Sequence, residues 1–216
     1  MEDVSLRAIN VLSKVDYVYA EDTRRSGLLL KHHKIEAKMA SYHSFNEHKI
    51  VDNIIEKLKS GSDVAIISDA GTPGISDPGF LVVREAIENN CQMEVIPGAT
   101  AFLPALVKSG FPTNSFVFEG FLPHKKGRKS KLKELSVEKR TIVLYESPYR
   151  IVKLLKELKE VLTKDRMLSI SRELTKLYEE TITGTVDYMI NHFEKNEPRG
   201  EFVVVIAPED KKNEGK

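Results

Sequence analysis

The sequence is poor in cysteine, lacks any long apolar run and carries almost no net charge. A single thiol, Cys91, in 216 residues excludes an internal disulfide, which suits a reducing compartment such as the cytoplasm. It sits between asparagine and glutamine, where a passive role is expected rather than a nucleophilic one. No stretch approaches the roughly 20 apolar residues that span a bilayer. No signal-peptide pattern stands at the N-terminus. The six histidines show no metal-ligand spacing with cysteine or aspartate. His32 and His33 are adjacent and would point in different directions on a helix. No metal is expected. The Gly-x-Gly-x-x-Gly pattern is missing, which disfavours a typical dinucleotide site. A net charge of +1 does not by itself announce a nucleic-acid partner. No internal repeat is evident.

What is there is a globular composition, 41% hydrophobic and 30% charged, with enough chain to bury a real core. Through the first half, apolar strands alternate with amphipathic helices. Residues 3–15 stripe one helix, 17–20 read as a strand, and Ile50, Ile54, Ile55 and Leu58 mark another helix. Strands are expected at 64–67 and 94–96, with a helix over 80–88 between them. This β-α-β-α rhythm implies a mainly parallel sheet with helices on both faces. Turn chemistry at 110–115 predicts a domain boundary. Beyond it, strands are expected at 116–118, 141–145, 167–170 and 202–206. Ile151, Leu154, Leu155, Leu158 and Leu162 stripe a helix. The expected organisation is an N-terminal α/β domain over 1–112, a smaller C-terminal mixed α/β domain over 113–208, and a polar tail over 209–216.

The most informative segment is S-D-A-G-T-P-G-I-S-D-P-G at 68–79. It follows the apolar run 64–67 and has five glycine or proline residues among twelve. Ordinary turns between such elements take about two to six residues. A longer, polar, stiffened loop at the end of a buried strand is where open α/β sheets bind ligands. Asp69, directly after the strand, suits an acceptor of ribose hydroxyls, with a turn cap as the plainer alternative. The turn P-G-A-T-A at 97–101 opens a helix, whose free N–H groups suit a carboxylate. Charge is unevenly spread. Residues 124–140 hold eight Lys or Arg against two Glu. A solvated helix face and a phosphate-contacting loop fit that stretch equally.

The segment at 68–79 resembles the signature of the bacterial small-subunit ribosomal RNA methyltransferases that modify a cytidine 2'-hydroxyl, within the tetrapyrrole-methylase superfamily. Further matches follow in order: A-E-D-T-R at 20–24, S-Y-H-S-F-N-E at 41–47, P-G-A-T-A at 97–101 and F-E-G-F-L-P at 118–123. Y-E-S-P at 145–148, R-E-L-T-K at 172–176 and P-R-G-E-F at 198–202 complete the series. Together they cover residues from about 3 to 206. The resemblance implies a two-domain tetrapyrrole-methylase-like fold and S-adenosylmethionine as cofactor. It implies small-subunit ribosomal RNA or the assembled subunit as partner, and a homodimer, to which the apolar run at 28–30 is one candidate contributor. Family members open with a strand and cofactor loop ahead of a helix that begins like residues 2–6. Met1 falls inside that motif, so the expectation is an N-terminal sheet short of its first strand.

The resemblance also assigns residues. Ser68, Asp69, Ala70 and Gly71 would touch the cofactor, Thr100 and Ala101 would border its methionine moiety, and Glu146 and Leu174 would complete the pocket from the second domain. A ribose hydroxyl is a weak acid, so a base within hydrogen-bond reach is expected. Glu119, Glu146 and Glu173 each stand at a strand end in a matching motif. Glu146 is the leading candidate, and ion pairing with Arg150, Arg172 or Lys176 is the structural alternative for all three. Arg24, Arg25, Lys125, Lys126, Arg128, Lys129, Arg150 and Lys176 are the candidates for RNA phosphate. Tyr42 and Phe121 are possible stacking partners for an unpaired base, although core packing is the expectation for both. Two competing readings remain: a superfamily methylase for a corrinoid or porphyrinoid macrocycle, and an RNA-binding protein without catalysis.

Overall fold

A computed structural model describes residues 1–209. Most of the expected polar tail thus lies outside the described residues. The chain divides into two compact units, with the break between Thr100 and Ala101. That is ahead of the 110–115 turn segment, because helix α5 (Phe102–Lys108) packs on the second sheet.

In the first unit, helix α1 (Leu6–Leu12) starts at Ser5, whose hydroxyl accepts the Ala8 N–H at 3.1 Å. Strand β1 (Tyr17–Ala20), helix α2 (Thr23–His32), strand β2 (Lys38–Ser41), helix α3 (Glu47–Lys59), strand β3 (Val64–Ile67) and helix α4 (Phe80–Glu88) follow. The sheet is parallel throughout, in the order β2-β1-β3. Successive strand side chains face opposite ways, so β1 feeds two cores. Tyr19 packs with Val51, Ile54, Ile55, Val82 and Ala86 from α3 and α4. Val18 packs with Leu12 and Leu30 from α1 and α2.

The strand expected at 94–96 does not form. Its apolar pattern is right, but a strand needs a neighbour for its backbone groups. In this unit β3 pairs with β1 alone, and Val95 stays 67% exposed.

The second unit carries strand β4 (Phe116–Phe121), helix α6 (Arg128–Ser136), strand β5 (Thr141–Glu146), helix α7 (Ile151–Val161), strand β6 (Met167–Arg172), strand β7 (Glu180–Thr185), helix α8 (Val186–Lys195) and strand β8 (Phe202–Ile206). Its mixed sheet runs β4-β5-β8-β6-β7, parallel only between β4 and β5. Ile142, Leu144, Val204 and Ile206 pack against α6, α7 and α8. Val143, Val203 and Val205 pack against Ala105 and Leu106 of α5. The period of two therefore decides burial at the end of β5. Glu146 shares parity with Ile142 and Leu144, under the three helices, while Tyr145 joins the α5 side.

Candidate functional site

In the first unit, the loops that leave β1 and β3 are tied together. Asp22 caps α2, accepting the Arg24 N–H at 2.8 Å. Its own N–H donates to Asp69 Oδ1 at 3.0 Å, and Asp69 Oδ2 pairs with Arg25 at 3.5 Å. Asp69 thus acts as a clamp between two strand ends. Arg24 closes a bidentate pair on Asp22, at 3.1 and 2.8 Å. The guanidinium beside Asp22 holds its carboxyl down at about 2. Both arginines, though exposed, already have carboxylate partners.

The loop after β3 then meets the 97–100 turn. Thr72 donates its hydroxyl to Ala99 O at 3.3 Å. Gly71 stands at φ +83°, and a Cβ there would meet that carbonyl in ordinary contact at 3.7 Å, so backbone conformation rather than space is what favours glycine. Ser68 folds its hydroxyl back onto Gly71 O at 3.2 Å. Thr100 Oγ1 is buried without a hydrogen-bond partner among the described residues. A buried hydroxyl left unpaired costs free energy, and Glu146 Oε2 in the second unit shares that condition. Ala101 caps α5 with helical backbone of its own.

Further along the same loop, a hollow of about 390 Å3 brings three of the matching segments together. Glu21, Ser44, Glu47, His48, Ser76 and Asp77 supply its polar wall. Sequence pattern gives none of these six side chains an individual role. Their only signal in the sequence is membership of, or adjacency to, the matching motifs. Gly79, at φ +152°, closes the loop: a Cβ there would fall 2.8 Å from Gly74 N. Gly74 N–H in turn donates to Pro78 O at 3.1 Å.

The second unit corrects several expectations. Glu146 has no side-chain exposure, pairs with Arg150 at 2.7 Å and lies 3.8 Å from Arg128. Its Oε1 also accepts the Ser147 N–H at 2.8 Å. Glu146 is thus found in the ion pair that is the structural alternative for it, enclosed from solvent, with its Oε2 left without a hydrogen-bond partner among the described residues. The reason is strand parity, which buries it under α6 and α7. Arg128 is likewise withdrawn from the phosphate candidates. It is 4% exposed and binds Glu157 and the Pro123 carbonyl. Arg150 is held by Glu146. Glu119 pairs with Lys131, and Glu173 with Lys176, which also reaches Glu201. Leu174 packs against the α5-side cluster. Lys125, Lys126 and Lys129 are exposed, with no carboxylate partner among the described residues. Tyr42 is 1% exposed and belongs to the core, whereas Phe121 is 51% exposed.

Among the described residues, no group of three or more His, Cys, Asp or Glu is arranged to hold a metal ion. No helix among them is long and apolar enough to cross a membrane.

Comparison with known proteins agrees with this layout. The cobalt precorrin-4 methyltransferase of cobalamin biosynthesis superposes with a TM-score of 0.68 at 17% identity, over 95% of this chain and 89% of that one. A uroporphyrin-III-C-methyltransferase from Thermus thermophilus gives 0.67 at 20% identity, over 94% and 88%. These likenesses establish the fold. Proteins called ribosomal RNA small subunit methyltransferase I are much nearer in sequence. The one from Synechocystis is 46% identical over 97% of this chain and 76% of its own length. The one from Thermotoga maritima is 43% identical over 96% and 93%. The model of the tetrapyrrole (corrin/porphyrin) methylases matches residues 1–189, and the chain belongs to that family.

Proposed function

We propose that this chain transfers a methyl group from S-adenosylmethionine to a ribose 2'-hydroxyl of a cytidine in small-subunit ribosomal RNA. It is a methyltransferase by family and by its relatives. The observation that carries the cofactor assignment is the meeting of the 68–72 loop with Ala99, beside the unpartnered Thr100 hydroxyl. Ser68, Asp69, Ala70 and Gly71 would present main chain to the cofactor, and Thr100 would complete its hydrogen bond on it. When bound, the cofactor supplies an electrophilic methyl on a sulfonium that leaves as a neutral thioether. The chain must then align the hydroxyl and accept one proton.

The hollow beside that loop suits the acceptor. Carboxylates, hydroxyls and an imidazole accept hydrogen bonds from ribose hydroxyls and a base amine. The same carboxylates would repel a macrocycle that carries several of its own, which argues against the macrocycle reading. His48, Glu21 and Asp77 replace Glu146 as the groups to test as proton acceptor. Lys125, Lys126 and Lys129, without a carboxylate partner among the described residues, supply positive charge for phosphate. The assembly we propose is a homodimer, and the compartment the cytoplasm.

The deciding experiment is transfer of labelled methyl from S-adenosylmethionine to small ribosomal subunits lacking the modification. The RNA is then digested to nucleosides. Label in 2'-O-methylcytidine supports the reading. Label in a base, or none where calorimetry shows cofactor bound, overturns it.

A further inference from the structure

The end of β4 does something its sequence pattern does not announce. Phe116 and Phe118 alternate onto the α5 side of the second sheet. Continued alternation would send Phe121 to the opposite face. The pairing with β5 instead slips between Phe118 and Gly120, and Gly120 adopts φ +60°. One extra residue in a strand re-aims every side chain after it. Phe121 consequently lands opposite Tyr145, on the same side as Phe118, with ring centroids 5.6 Å apart. Half of its surface is left in solvent.

One cationic side chain stands beside this exposed ring. The Arg150 guanidinium stands 5.9 Å from its centroid. Glu146 holds that guanidinium from the buried side at 2.7 Å, and Arg150 reaches His124 Nδ1 at 3.3 Å. The cation is therefore fixed before any ligand arrives. His124 begins the loop that carries the exposed Lys125 and Lys126, with Lys129 in the first turn of α6. The slipped pairing and the docked guanidinium together leave a ring face in solvent beside a fixed cation. A flat, π-faced and negatively charged partner matches both ring and rim.

We propose that Phe121 is a stacking shelf for an unpaired RNA base, with Arg150 alongside it and Lys125, Lys126 and Lys129 meeting the adjoining phosphates. This rests on the RNA reading above and names the second unit's part in it. Base–aromatic stacking tolerates any base, so the shelf grips strand without selecting sequence. Selection then falls to the acceptor hollow.

The test uses the full chain and a single-stranded oligoribonucleotide carrying 2-aminopurine, whose fluorescence falls on stacking. Phe121→Leu keeps an apolar side chain but removes the ring. Phe121→Tyr keeps the ring. We expect Phe121→Leu to weaken binding roughly 5- to 100-fold and to abolish quenching. Its salt slope and its affinity for S-adenosylmethionine should match the parent chain. Phe121→Tyr should bind and quench as the parent does. If Phe121→Leu binds and quenches like the parent, the shelf is refuted while the RNA reading stands. If the parent chain binds no RNA at all, both fall together.

Discussion

The Asp22 N–H donates to Asp69 Oδ1 at 3.0 Å, joining two loops 47 residues apart in sequence. That bond makes the carboxylate after β3 a clamp between strand ends as well as a candidate cofactor contact. Asp69→Ala should therefore lower both stability and cofactor affinity, each by about 1–3 kcal/mol, the cost of leaving a partly buried donor unpaired. Asp69→Asn keeps an acceptor oxygen and should retain most of the stability. Denaturant unfolding beside calorimetry with S-adenosylmethionine separates the two effects. Unchanged cofactor affinity in a folded Asp69→Ala would leave the clamp as its only role.

The Asp22 carboxyl titrates at about 2, against an ordinary 3.8, chiefly through its hydrogen bonds from Arg24. A carboxyl depressed by folding stabilises the fold above its unfolded value. That contribution fades as pH falls from about 4 through 2. Arg24→Ala removes the side-chain bonds and leaves those from the backbone. The Asp22 value should then rise part of the way to 3.8, read from carboxyl carbon shifts against pH. An unmoved titration would mean the guanidinium does not dock in solution.

Glu146→Ala should cost about 3–5 kcal/mol, because it strips the close partner from the largely buried Arg150 guanidinium, while Arg128 keeps Glu157. Chemical denaturation reads this directly. A variant of unchanged stability that binds cofactor and RNA yet turns over slowly would restore Glu146 as the base.

Lys125, Lys126 and Lys129 replaced together by alanine should flatten the plot of log affinity for RNA against log salt. The expected change is about 0.7–0.9 for each phosphate that is no longer neutralised. Arg128→Ala should instead behave as a folding defect, since its guanidinium is bound to Glu157 at 2.7 Å. If the triple variant keeps the parent slope, these lysines are solvated surface.

Gly79→Ala should destabilise the 68–79 loop by about 1–3 kcal/mol, for two reasons. The backbone stands at φ +152°, and a Cβ would press on Gly74 N at 2.8 Å. Thermal unfolding and cofactor affinity should fall together, because the loop is closed by the same approach of Gly79 to Gly74.

Some of this was written in the residues themselves. The apolar run at 64–67 announces a strand, since local composition fixes it. The stripe of Ile151, Leu154, Leu155 and Leu158 announces α7, which buries those four side chains completely. Charge, by contrast, misleads when partners are distant in sequence. Arg128 reads like its lysine neighbours until Glu157 and Pro123 are brought to it. Glu146 reads like Glu119 and Glu173 until parity on β5 encloses it.

Sequence alone thus determined the family and most of the alternation of strands and helices, because these depend on short-range pattern and on motif order. Tertiary structure decided what pattern cannot encode. It placed α5 on the second sheet, left residues 94–96 without a strand to pair with and turned Phe121 out through one slipped residue. Each of those outcomes depends on which neighbour a side chain or backbone group meets, and only the folded chain supplies that neighbour.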